Sequence, residues 1–192
     1  GEKTADALAK WIEDDMFQYG RTAYRMTYTS NHDLNSWVGT TFERLGDGHK
    51  AFATLAFTAY GFPLILSGQE AGLSKRLEFF ERDPIDWSDS LSLQAFYQSL
   101  VSLKKENPAL WAGDAGGFPV AIEKNENVMG FIREVHENQV IGIFNLSGEN
   151  QEVEITNERL YGNYADYFTG KEYTISSKAL QLKPWEYLVF TK

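Results

Sequence analysis

The sequence predicts an α/β segment followed by an all-β segment, and three observations carry that prediction. Helix-like and strand-like stretches alternate as far as Pro108. One of the strand-like stretches, "FPLILS" at 62–67, is almost wholly apolar, as a parallel strand covered on both faces would be. Beyond "WAGDAGGFPV" the pattern changes to short runs of alternating hydrophobicity separated by polar turns, the pattern of antiparallel strands.

Each element has its own warrant. In "TADALAKWIEDDMFQY", Leu8, Trp11, Ile12 and Met16 fall on one helical face, with Thr4 as the N-cap. "TAYRMTYT" at 22–29 reads as a strand between Gly20 and the polar "SNHD". A second helix is expected over 49–60 after the "GDG" turn, with Gly61 as a left-handed C-cap. A third is expected in "SLSLQAFYQSLVSLKKENP". Its inner face is Leu93, Phe96, Tyr97, Leu100 and Leu103, and Asn107–Pro108 ends it. Helix, strand, helix, strand, helix implies parallel strands joined by helical crossovers. Two strands make too small a sheet to stand alone, so this segment reads as one end of a larger α/β structure.

The runs "VMGFIREV", "QVIGIFNL", "QEVEIT", "NYADYF" and "WEYLVF" then predict an antiparallel β-sandwich, with Trp185 and Tyr187 in its core. The glycines at 113–117 mark the joint, giving two domains, 1–111 and 112–192.

Composition narrows the function. A net charge of −9 argues against nucleic acid and against a polyanionic substrate, while a neutral substrate is indifferent to this field. With no cysteine there are no disulfides and no thiolate metal sites. No apolar run has membrane-spanning length. His49 and His136 lack partners at ligand spacing. The charges of the 75–86 loop, among them Lys75, Arg76 and Asp83, read as solvated ion pairs.

In parallel α/β folds function sits at the carboxyl ends of the strands. "SNHD" follows the first strand and "SGQE" the second, so both clusters should face one mouth. A carboxylate beside an imidazole can hold a sugar hydroxyl or stabilise positive charge on a sugar ring. The same residues also suit an Asx turn at Asn31 and Asp33 with His32 packed, and spacing alone leaves both readings open.

"YTSNHD" resembles the fourth signature region of the α-amylase family, glycoside hydrolase family 13. "GFPLILSGQEAGL" is similar to that family's eighth barrel strand and following loop, and "RLEFFERDPIDW" is similar to the continuation of that loop in bacterial members. The order of the motifs fits, and the resemblance covers essentially the whole chain. It implies that 1–111 is the C-terminal part of a (β/α)8 barrel. It makes Asp33 the transition-state-stabilising carboxylate, His32 a substrate-binding residue on the same sugar, and Asn31 the residue that orients the pair. Gln69 and Glu70 match a motif that is mainly architectural. Leu34 departs from the family, where Glu is common.

The family's nucleophilic Asp and general-acid Glu come from earlier strands, and no stretch here resembles them. The resemblance therefore implies a fragment of a retaining α-1,4-glucan hydrolase, inactive alone, acting as a whole on α-glucan or maltooligosaccharide. No cofactor is expected in this chain, although family members can carry structural calcium held by loops elsewhere. Exposed barrel edges are expected to favour self-association. The parent is expected in the periplasm, at the cell surface or outside the cell. The alternatives are a non-catalytic carbohydrate-binding or packing module, and an unrelated α/β domain.

Overall fold

A computed structural model describes residues 4–20, 22–87 and 93–192. The first helix, α1 (Ala5–Tyr19), follows Thr4, and its first turn donates from Ala5 and Asp6 N–H to the carbonyls of Glu126 and Asn125. Those bonds satisfy orphan donors of the helix start and seat it on a turn of the β segment. Ala5 and Ala9 are the buried residues of α1, while Leu8 and Ile12 are half-buried and Trp11 is exposed. The predicted apolar face therefore lines an open groove of about 740 Å³ rather than a closed core.

Strand β1 (Met26–Thr27) pairs in parallel with β2 (Phe62–Pro63), and α3 (His49–Thr58) connects them after the short α2 (Thr41–Leu45). This is the expected crossover, with ladders much shorter than the predicted 22–29 and 62–67. Strand length is set by what lies alongside, and here each strand has one paired neighbour among the described residues. The ladder's outer face, including Tyr24, Met26 and Phe62, is left exposed. The C-cap of α3 is Ala59 in extended conformation, not Gly61. Gly61 (φ +139°) serves instead the close approach of β1, since a Cβ there would lie 2.5 Å from the Arg25 carbonyl oxygen.

The third predicted helix is α4 (Gln94–Glu106). Residues 90–92 of the predicted span lie outside the described residues. Leu93, Tyr97, Leu100 and Leu103 are buried and Phe96 is half-buried, as the spacing requires.

Beyond the linker an antiparallel sheet has the order β10 (Tyr187–Thr191), β5 (Asn138–Asn145), β4 (Val128–Val135), β3 (Val120–Lys124). Its two faces enter two separate cores at period two. Val128, Ile132, Ile141, Ile143, Leu188 and Phe190 face the ladders β6 (Gln151–Val153) with β9 (Leu180–Leu182) and β7 (Gly162–Ala165) with β8 (Glu172–Ile175). Met129, Phe131, Val140, Phe144 and Val189 face α1, α3 and the segment Ala109–Leu110. Burial on both faces explains why β4 and β5 read as nearly continuous apolar runs.

Trp185 and Tyr187 are only half-buried. Trp185 adopts a left-handed φ of 57° and lays its ring over Gly48, where a Cβ would come within 2.7 Å. That ring joins the start of α3 to the β segment, a contact that alternation could not foresee.

Arg133 makes the deepest polar joint. It lies on β4 with 0% exposure, and each of its three side-chain nitrogens donates to a backbone carbonyl. The Nε donates to Gly117 (2.7 Å), Nη1 to Thr58 (3.0 Å) and Ala59 (2.7 Å), and Nη2 to Trp111 (2.7 Å). The carbonyls of Thr58 and Ala59 form the negative end of α3, which suits a cation. Burial holds the Arg133 pKa down at about 10.

Lys104 on α4 donates to the Gly61 carbonyl (2.8 Å), and burial together with the charge of Arg133 lowers its pKa to about 7. Between that value and the ordinary 10.5, the unfolded chain keeps a proton that the folded chain has released. Stability should therefore rise with pH through this window, and below it the cost of the buried charge is fully present. Urea midpoints measured from about pH 7 to about pH 9 should rise in the wild type and stay flat in Lys104→Met. Parallel profiles would exclude Lys104 as the titrating group.

Candidate functional site

The segment that follows β1 carries the His-Asp pair on a turn whose geometry its own residues dictate. The Asn31 side-chain oxygen accepts from Leu34 N–H (2.8 Å), and its carbonyl accepts from Asn35 N–H (2.9 Å). His32 and Asp33 therefore occupy a first helical turn, which widens into a π-helical turn over Leu34–Val38 closed by Gly39 N–H on the Leu34 carbonyl. Turns of this kind are uncommon and concentrate at functional sites. Asn31 thus does what an Asx turn requires, and the pair it presents is largely open to solvent, with the His32 ring touching only the loop ring of Phe79 among the ring contacts of the described residues. Side-chain exposures are 72% for His32 and 60% for Asp33, with His32 Nε2 3.7 Å from Asp33 Oδ2.

The segment after β2 meets this one at the same end of the parallel pair. Gln69 is buried, accepts from Leu66 N–H (2.8 Å), and donates to the Thr29 hydroxyl (2.9 Å) and the Tyr97 hydroxyl (3.1 Å). One amide thereby ties the end of β1, the end of the β2 run and α4 together. Burial pushes the Tyr97 hydroxyl up to about 12, so it stays protonated across the working range. Glu70 accepts from Gly68 N–H (3.0 Å) and braces its own turn.

Five further residues, none of them assigned to the site from the sequence, fix the mouth. Arg44 donates to the carbonyls of Gly39 (3.0 Å) and Thr29, closing the His-Asp segment at both ends. Asn35 is buried, accepts from Leu77 N–H (2.8 Å) and donates to the Lys75 carbonyl (3.3 Å), which pins the second loop to the first. Thr40 and Glu43 form a reciprocal capping box at the start of α2. Arg76 then grips Glu43 with Nε (3.0 Å) and Nη2 (3.2 Å), and these bonds hold the Glu43 carboxyl down at about 2. The capping pattern "TTFE" was readable in the sequence. The Asn35 and Arg44 contacts carried no local signal.

The 75–86 loop, read as one of solvated ion pairs without a stated pairing, contains the pair Lys75–Asp83, while Arg76 turns to α2. His49 packs on Phe42, and burial lowers its pKa. Among the described residues no group of three or more His, Asp or Glu could hold a metal ion. Nor is any helix among the described residues long and apolar enough to cross a membrane.

No family model matches the chain. It is, however, 32% identical over 185 residues to Alpha-amylase 2 of Dictyoglomus thermophilum, covering 89% of this chain and 30% of that protein. The chain is a C-terminal region of the α-amylase family. It spans about a third of the length of that relative, 30%.

Solved amylases share the fold. The maltogenic α-amylase AmyB of Thermotoga neapolitana matches all of this chain over 46% of its own, with TM-score 0.79 and 16% identity. AmyP, solved in complex with maltotriose, matches all of it over 45% of its own, with TM-score 0.74 and 19% identity. In this α-amylase-family chain the exposed His32–Asp33 pair and the Gln69 joint lie together beyond the carboxyl ends of the parallel strands β1 and β2.

Proposed function

We propose that this chain belongs to a longer retaining α-glucan hydrolase that cleaves α-1,4-glucosidic bonds. In that reading 1–111 is the C-terminal part of its (β/α)8 barrel and 112–192 a β-sandwich domain. Asp33 stabilises the oxocarbenium-like sugar, His32 binds hydroxyls of the same ring, and Asn31 holds both in place. The nucleophile and general acid belong to the preceding part of the barrel, so the chain alone does not turn over.

The observation that carries this reading is the Gln69 joint. It brings an Asn31-capped, solvent-open His-Asp pair to the same end of a parallel ladder as the second loop. Maltotriose in the related AmyP supports an α-linked glucan as substrate. The outer face of Tyr24, Met26 and Phe62 suits the preceding strands of a barrel, and in their absence it suits a second copy of the chain.

The longer protein should release reducing sugar from soluble starch. The 192-residue chain, run as an associated species in light scattering, should release none. Turnover by the chain alone, or none by the longer protein, overturns the reading, and a compact monomer removes the self-association.

A further inference from the structure

Arg44 is a cation with no acid beside it. It stands in the last turn of α2, half-buried, and among the described residues it forms no ion pair. Arg25, on the same groove, pairs with Asp15, and Arg76 pairs with Glu43. A guanidinium drawn out of water ordinarily faces a carboxylate. Burial lowers the Arg44 pKa with no opposing charge to hold it up, so its placement needs another cause.

The cause lies in what the side chain spans. Its Nε donates to the Gly39 carbonyl (3.0 Å) and its Nη2 to the Thr29 carbonyl. Residues 30–38 lie between those two carbonyls, and they include the whole turn that carries His32 and Asp33. One rigid plane thus ties both ends of the segment and restricts its freedom to shift. An arginine at a helix end commonly serves that helix's own last carbonyls. Arg44 reaches instead back past the start of α2 and across to the end of β1. Each anchor is itself fixed. Thr29 is buried, and its hydroxyl accepts from Gln69 Nε2 (2.9 Å). Gly39, at φ +154°, lets α2 come close, since a Cβ there would lie 3.2 Å from Glu43 Oε2 and 3.4 Å from Arg44 Cγ.

We propose that Arg44 is a positioning residue that fixes where His32 and Asp33 stand in the mouth, by bracing the turn between Thr29 and Gly39. Its effect on rate rests on the α-glucan reading above, whereas its effect on the turn does not. A carboxylate stabilises a charged sugar according to its distance, and a misplacement of about 1 Å can cost about 10²-fold. Arg44 therefore contributes through Asp33, by way of the backbone at the two ends of the turn.

Amide exchange in the 192-residue chain reads the turn directly. In Arg44→Met the N–H groups of Leu34, Asn35 and Gly39, which close the turn, should exchange about tenfold to a hundredfold faster, while β4 and β5 keep wild-type rates. Arg44→Lys keeps the charge but reaches one carbonyl at a time, and should fall between the two. In the longer protein Arg44→Met should lower kcat about tenfold to a hundredfold with KM within about twofold. In an Asp33→Asn background the same change should cost less than about twofold, because the carboxylate it positions is gone. Turn amides at wild-type rates in Arg44→Met overturn the proposal. So do full protection in Arg44→Lys, an equal loss of kcat in both backgrounds, or faster exchange confined to the α2 amides of Glu43 and Arg44. If the turn loosens while Asp33→Asn keeps full kcat, the brace stands and the catalytic reading falls. If Asp33→Asn loses kcat while Arg44→Met leaves the turn and kcat intact, the catalytic reading stands and the brace falls.

Discussion

Replacement of Arg133 by methionine is expected to destabilise the chain by about 3–5 kcal/mol, the range for stranding the partners of a buried charge. The guanidinium serves carbonyls from three places, the end of α3, Trp111 and Gly117. Methionine keeps most of the volume and none of the donors, so the carbonyls of Thr58, Ala59, Trp111 and Gly117 all lose this partner. Lysine keeps the charge but, as a compact ammonium, cannot span a fork of four acceptors, and should recover only part of the loss. A chain of this length should lose on the order of 10 °C in Tm for the methionine variant. Amide exchange should rise first at the end of α3 and along residues 109–117, while β5 and β10 stay protected, because the lost bonds join the helices to the sheet rather than strand to strand. A methionine variant within about 1 kcal/mol of wild type would show that the joint is held by Trp185 and the apolar core instead.

Arg133 also shows where sequence reading ends. Inside "VMGFIREV" it looks like the polar residue of an alternating strand, turned to water. Its face is instead shared with Met129 and Phe131, because helices cover that side of the sheet. Partners 74 and 75 residues away leave no trace in a local pattern. The helices were legible because periodicity is local, and α4 buries the residues its spacing selects. The strands β1 and β2 were overextended for the opposite reason, since ladder length depends on neighbours that periodicity does not report.

The site divides in the same way. Asn31, His32 and Asp33 were visible as a polar cluster after a strand-like run. Asn35 and Arg44 were not, because each depends on a contact between segments far apart in sequence.

Asp33→Asn in the longer protein is expected to lower kcat by about 10²–10³ with a much smaller change in KM, the pattern of a contact made chiefly in the transition state. Asparagine is close to isosteric, so the substitution isolates the charge. In the ground state Asp33 offers a neutral sugar only hydrogen bonds, and an amide oxygen can supply some of these. As the ring gains positive charge, the carboxylate gains an attraction that the amide lacks. The effect should not pass through folding, because Asp33 is exposed and its neighbour His32, 3.7 Å away, is open to solvent as well. Unchanged Tm alongside the fall in kcat would separate chemistry from stability. His32→Ala should cost less, about tenfold, and act on KM as well, since a hydroxyl donor serves ground and transition states more evenly. Should Asp33→Asn leave kcat unchanged, the Asn31-capped turn would be only a brace for the mouth, and the charge stabilising the sugar would have to come from another carboxylate.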